Sequence, residues 1–371
     1  MKNLSSSNIS KKTERLTYID GLRGIACLMV FAHHGRIFLY LHRNNNIQDW
    51  LYFISLHGDL GVPFFFVLSG FVMAYSVRNV KTWNFKILIN FFLRRLVRLT
   101  PPYYISIIIS SFFLLIRIKL SKYFHYFPDL ITFLSHLFYL EGFLNSHNIN
   151  VAYWTICIEI QFYLFFGVLC FICSILSTKY KITNIDIYVF LMTFIISLLQ
   201  IYYNPDEIRV VFFPSWSIFV LGIISFWVFN GRIEYKYGIS LFILILILIF
   251  CHFNDYLACD YLACGNLIYF SIIIASYYGK LTSWLSLPVI QFFGKISFSF
   301  YLIHVPLLAF INGFHLRLGL DKTYTVEIIS FLIAFALTTL LATIMYYIVE
   351  VPAISWSHKV KIKNNEKLTS I

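Results

Sequence analysis

Ten separate stretches of this chain are long enough and apolar enough to cross a bilayer, which restricts the fold more than any motif does. Their limits read as Gly21–Leu41, Leu60–Val77, Pro101–Ile116, Tyr153–Ile175, Ile185–Tyr203, Val211–Phe229, Gly238–Phe253, Gly265–Tyr278, Ile296–Phe314 and Thr325–Val349. Apolar residues make up 59% of the 371 and charged residues 12%, and the mean hydropathy is +0.76. Those values lie far from a soluble globular domain. The expected fold is therefore all-α, a polytopic membrane bundle of about ten transmembrane helices. Leu130–Leu144 is also apolar, but it is short and carries His136 and Glu141, so it reads as re-entrant or interfacial.

The formal charge is +12. In a chain of this kind a basic excess marks cytoplasmic loops rather than nucleic-acid binding. With both termini in the cytoplasm, twenty Lys and Arg fall inside and seven outside (Arg43, Arg117, Lys119, Lys122, Arg209, Arg317, Lys322), leaving Arg23 and Arg36 in the first span. An eleventh span at Leu130–Leu144 would move the Lys179 loop outside and spoil this bias. The organisation read from it is a cytoplasmic tail over 1–17, one transmembrane domain over 18–352 and a basic cytoplasmic tail over 353–371. The N-terminus has the basic start of a signal peptide without a small-residue cleavage site, so the first apolar run reads as a retained span. Cys170 and Cys173 read as packing residues within a helix, and no metal site is expected. Cys259 and Cys264 belong to a tandem Asp-Tyr-Leu-Ala-Cys repeat that reads as a short loop, where either a disulfide or a tolerated duplication fits.

Ionisable residues inside such spans are costly, and so they mark candidate sites. Arg23 and His34 are eleven residues apart, close to three helical turns, which places them on one stripe roughly 16 Å apart. A neutral imidazole at mid-depth can accept a proton from a hydroxyl, and it can equally serve as an interhelical hydrogen-bonding group. His33 points about 100° away from that stripe. Ser69 and Gly70 fall near mid-depth in the second span, where small residues allow close helix packing. Arg94, Arg95 and Arg98 have helical spacing, with Pro101 and Pro102 suited to the first turn of the next span. They fit either a lipid-headgroup anchor or a phosphate clamp. Glu159 lies about 9 Å inside the fourth span by helical rise, so it needs a proton, a structural partner or a catalytic task. The ninth span adds Tyr301 and His304, the latter placed on its inner half.

In order along the chain, five pieces resemble acyltransferase family 3, membrane proteins that acylate bacterial surface sugars and some small molecules. They are Asp20-Gly-Leu-Arg-Gly24 running into His34, Phe-Val-Leu-Ser-Gly-Phe71 with Ser69, Arg95-x-x-Arg98 before Pro-Tyr-Tyr, Trp154-Thr to Glu159 with Phe162-Tyr163, and Tyr301-Leu-Ile-His304. The resemblance implies an integral membrane O-acyltransferase in a bacterial plasma membrane. It would move an acetyl group from acetyl-CoA to a hydroxyl of a cell-surface polysaccharide, lipopolysaccharide, exopolysaccharide or lipid-linked glycan. On that basis His34 is the expected general base, favoured over His33 by its spacing from Arg23. Glu159 would orient the acceptor or steady the imidazolium, and a covalent acyl intermediate on His34 also fits. Arg23, Arg95 and Arg98 would hold the CoA phosphates. Asp20, Ser69, Trp154, Tyr163, Tyr301 and His304 are expected to bind substrate or shape the site. Some members carry a soluble esterase-like domain after the membrane part. This chain runs about twenty residues past its last span, so the reading expects the membrane domain to finish the reaction or a separate extracytoplasmic partner to do so. The competing class is a secondary transporter, but no matching pair of Gly/Pro-interrupted spans occupies its two halves. Phospholipid acyltransferases whose motif sets four residues between a histidine and an aspartate do not fit, since no His here is followed by Asp at that spacing.

Overall fold

A computed structural model describes residues 15–39, 55–120, 127–144, 148–203, 212–252, 256–319 and 323–362. In chain order the helices are α1 (Thr17–Leu39), α2 (Gly61–Ser76), α3 (Phe85–Leu120), α4 (Leu130–Leu137), α5 (Glu141–Leu144), α6 (Trp154–Tyr180) and α7 (Ile185–Tyr203). They continue with α8 (Phe212–Phe229), α9 (Tyr235–His252), α10 (Tyr256–Tyr277), α11 (Pro288–Leu318), α12 (Tyr324–Met345) and α13 (Val351–Lys359). A 3₁₀ turn at Gly58–Leu60 precedes α2, and a π turn at Tyr346–Glu350 joins α12 to α13. Among the described residues there is no strand. Eight helical segments there are long and apolar enough to cross a membrane. Helices α1 and α9 occupy the other two expected positions. The chain is a multi-pass membrane protein.

Two close helix pairs set the centre of the bundle. A Cβ on Gly294 of α11 would collide with the Asp20 carbonyl of α1, and one on Gly24 with the Ile290 carbonyl of α11. Only glycine on both helices lets these backbones touch. The α2/α8 pair repeats the device, with Gly70 against Phe219 and Gly222 against Val67. Beside it Phe66 stacks on Phe219 at 4.6 Å, and Phe162 of α6 stacks on the same ring at 3.9 Å. Helix α8 is buried almost throughout, as a helix apolar on every side must be.

Proline placement departs from the expected first-turn role. Pro101 and Pro102 lie inside α3, a single helix of 36 residues, roughly 54 Å by helical rise. The arginine segment and the following span are thus one helix. Each proline removes the donor that would serve the carbonyl four residues back, here those of Val97 and Arg98. Within a membrane bundle such freed carbonyls can be served by neighbouring helices and side chains, so the helix continues. The same loss at Pro306 inside α11 frees the Leu302 carbonyl, and the Asn150 amide donates to it at 3.2 Å.

The 130–144 segment is a hairpin of two short helices tucked against α3. Asp129 caps α4 by accepting from the Thr132 amide at 2.8 Å, an ordinary N-cap bond. Tyr104 donates to the Leu137 carbonyl, and Tyr103 stacks on Tyr139. Neither helix is long enough to span. The tandem repeat is also placed differently from expectation: Cys259 and Cys264 lie in α10, and no disulfide joins them. The Tyr-Leu-Ala-Cys units are good helix material, which overrides the loop reading of their duplication.

Candidate active site

A polar concavity that the sequence motifs point to lies between α1, α2, α3, α6 and α11. It spans about 890 Å³, space open to solvent included, and is lined by Arg23, Ser69, Arg95, Arg98, Thr155, Glu159, Tyr163, Ser297 and Tyr301, with Phe65, Phe66, Val72, Met73 and Phe298 supplying apolar wall. Residues from five helices thus meet in one cavity, and most of the expected site is among them. Glu159 accepts from Ser69 Oγ at 2.7 Å and from the Tyr163 hydroxyl one turn along α6. Arg95 is 5% exposed. It donates to Ser76 Oγ at 2.7 Å and lies over the Phe91 and Tyr163 rings. The buried Nε atoms of Arg23 and Arg95 have no hydrogen-bond partner among the described residues. Unmet donors on buried guanidinium groups are expensive, and an anionic guest would satisfy them.

Arg94 is not part of this cluster. It donates to His358 Nδ1 at 2.7 Å, so it fastens α13 to α3, and only Arg95 and Arg98 of the triplet face the cavity. Asp20 pairs with Arg15 at 2.6 Å, and Trp154 packs edge-on against Phe66; neither lines the cavity.

His34 belongs to a second cluster beyond the Tyr301 wall. His304 Nε2 lies 3.1 Å from His34 Nδ1, and His34 Nδ1 also lies 3.1 Å from the Val30 carbonyl. His304 Nδ1 lies 2.6 Å from the Tyr301 carbonyl. A carbonyl only accepts, so with both rings neutral each Nδ1 carries the proton. His34 then donates toward His304 Nε2, and His34 Nε2 is the ring's proton-accepting atom. His304 stands level with His34 rather than nearer the arginine end, because the Gly24/Gly294 contact sets the two helices in register ten residues before each ring. His33 turns aside and donates to the Ser55 carbonyl at 3.2 Å.

The Tyr301 hydroxyl accepts from Thr155 Oγ1 at 2.8 Å and donates to the Ala152 carbonyl at 3.2 Å. Its ring sits 5.5 Å from that of His304. His34 and Glu159 are therefore not in contact, and the path between them passes Tyr301 and His304.

One acidic residue escaped the sequence reading. Glu350 ends the π turn, is 3% exposed and accepts from Ser299 Oγ at 2.6 Å. The charges of Arg98 and Arg23 act on it. The available signal was a lone acid closing an apolar run just before Pro352, one residue past the limit assigned to the last span.

Residues 16–347 match the acyltransferase domain of family 3, and the chain belongs to that family. It is 28% identical over 379 residues to a protein of Staphylococcus aureus (strain COL) named "Putative O-acetyltransferase", covering 92% of this chain and 58% of that one. It is 27% identical over 374 residues to the O-acetyltransferase OatA of Staphylococcus aureus (strain NCTC 8325 / PS 47), covering 90% and 56%. The chain thus spans a little over half the length of these curated relatives. No solved structure matches it.

Proposed function

We propose that this protein is a membrane O-acetyltransferase that takes an acetyl group from acetyl-CoA at its cytoplasmic face and delivers it to a hydroxyl of a cell-surface or lipid-linked glycan. The observation that carries the reading is a pair of arginines, buried Arg95 and half-buried Arg23, whose Nε atoms lack hydrogen-bond partners among the described residues, in a cavity that Arg98 also lines. Arg forks suit the phosphates of CoA, and the apolar wall of Phe65, Phe66 and Val72 suits a pantetheine arm. The O-acetyltransferase names of the relatives agree with it. In this reading ten spans put both termini in the cytoplasm, where the excess of Lys and Arg belongs.

His34 Nε2 takes the proton of the acceptor hydroxyl as its oxygen attacks the thioester carbonyl. The new C–O bond forms, the C–S bond breaks, and the CoA thiolate recovers a proton from the imidazolium. His304 accepts the hydrogen bond from His34 Nδ1 and so fixes which nitrogen is the base. Glu159, held by Ser69 and Tyr163, balances the arginines and shapes the thioester's approach.

Membranes containing the full chain, given acetyl-labelled acetyl-CoA, should incorporate label into glycan. His34→Ala at equal abundance should lower incorporation about 10²- to 10⁴-fold. Undiminished incorporation by that variant removes the base assignment, and uptake of label without incorporation points to transport instead.

A further inference from the structure

A second cavity of about 720 Å³ lies toward the opposite end of α11, between the last turns of α3 and the 148–151 segment. Ser110, Arg117, Asn148 and Asn150 give it a polar wall, and Val305 and Phe113 an apolar one. No acidic side chain is among its described lining residues. Val305 follows His304 directly in α11, so the helix turn that walls this cavity adjoins the one that carries His304.

A hydrogen-bonded chain runs from one cavity to the other. Tyr301 of the first donates to the Ala152 carbonyl, and the Ala152 amide donates to Asn150 Oδ1 of the second at 2.9 Å. Asn150 in turn holds the Leu302 carbonyl that Pro306 leaves open.

The rim is cationic. Arg317 donates to the Lys119 carbonyl at 3.3 Å, which brings the ends of α3 and α11 together. The Arg117 stem lies 3.2 Å from where a Cβ on Gly313 would stand. Arg117 lines the cavity, and Lys119 and Arg317 lie on the adjoining helix ends, where the charge bias predicts few cations.

We infer that this cavity is the acceptor site and that it takes an anionic glycan, a sugar or polyol chain carrying phosphate or carboxylate groups. The inference rests on the acetyl-transfer reading for the word acceptor. Ser110, Asn148 and Asn150 match hydroxyls, and the rim arginines match the anionic groups through fork-shaped donors. Rim cations also draw a charged chain to the opening over several ångströms, an effect that salt screens. The bound hydroxyl approaches the histidine pair from one side while the thioester approaches from the other.

The test uses the full chain in phosphatidylcholine nanodiscs, with a fluorescent hexagalacturonate as anionic probe and equally tagged maltohexaose as neutral control. The anionic probe should bind about tenfold or more tightly than the neutral one and weaken with salt. Arg117→Gln combined with Arg317→Gln should lose about tenfold in affinity, while the double Lys variant keeps most of it. Equal binding of the two probes, or a Gln variant that binds like the parent protein, overturns the inference. Phosphatidylglycerol in the discs that displaces the probe assigns the rim to lipid headgroups and overturns it too. Acetyl-CoA binding to the same discs is measured separately. Its loss with probe binding intact removes the transfer reading and leaves the anion site standing.

Discussion

Glu159 and Glu141 are both carboxylates tucked into apolar surroundings, yet they sit in regions of opposite character. Glu159 lines a large cavity, accepts two hydrogen bonds and faces three arginines. Glu141 is 4% exposed in the hairpin, its oxygens have no hydrogen-bond partner among the described residues, and no cavity described here includes it. The nearest cationic type, His136, stands 3.8 Å away. The Ile149 amide donates to His136 Nε2, so a neutral ring keeps its proton on Nδ1, facing Tyr103 at 3.4 Å and Glu141. Burial of an acid therefore does not by itself mark chemistry. What separates the two is the company of counter-charges and of space for a guest.

The largest expected effect that tests this contrast is at Glu159. Glu159→Ala should lower acetyl transfer by about 10²-fold, because the arginines and Tyr163 lose the group that orders them. An equal loss from Glu141→Gln would erase the distinction. Next comes the arginine pair on neighbouring positions. Arg95→Ala should weaken acetyl-CoA binding about tenfold or more, whereas Arg94→Ala should leave that affinity within about twofold and loosen α13 instead. Filter binding and limited proteolysis of the C-terminal helix separate the two outcomes. Smallest is Glu141→Gln, which should leave transfer intact and raise thermal stability by about 1 kcal/mol, since a neutral amide is cheaper than a carboxylate lacking hydrogen bonds. A fall in melting temperature would show that the His136 contact is a net gain.

Much of the fold was legible because hydropathy and the cost of buried charge are local properties. Helices lie at the expected spans, eight of them long and apolar enough to cross a membrane, and Leu130–Leu144 was set apart as re-entrant or interfacial by its shortness and its two ionisable residues. The one-face placement of Arg23 and His34 needed only helical spacing. Contacts between helices were not legible. The partnership of His34 with His304 joins residues 270 apart and depends on the glycine contact that sets two helices in register. Ser69 was read as a packing residue on its own, and its bond to Glu159 arises only when α2 and α6 meet. Proline misled the reading of α3, because its rule for soluble helices assumes that a broken hydrogen bond ends the helix. Glu350 lay one residue outside the assigned span, where a boundary error of that size conceals an internal acid.

The chain from Tyr301 through Ala152 to Asn150 has a consequence for the cell that houses this protein. On the proposed reading the two cavities take their guests from opposite faces of an energised membrane, which cannot tolerate a wet channel through it. The hydroxyl, amide and carbonyl groups that run between them would then stand in the way of protons and small ions.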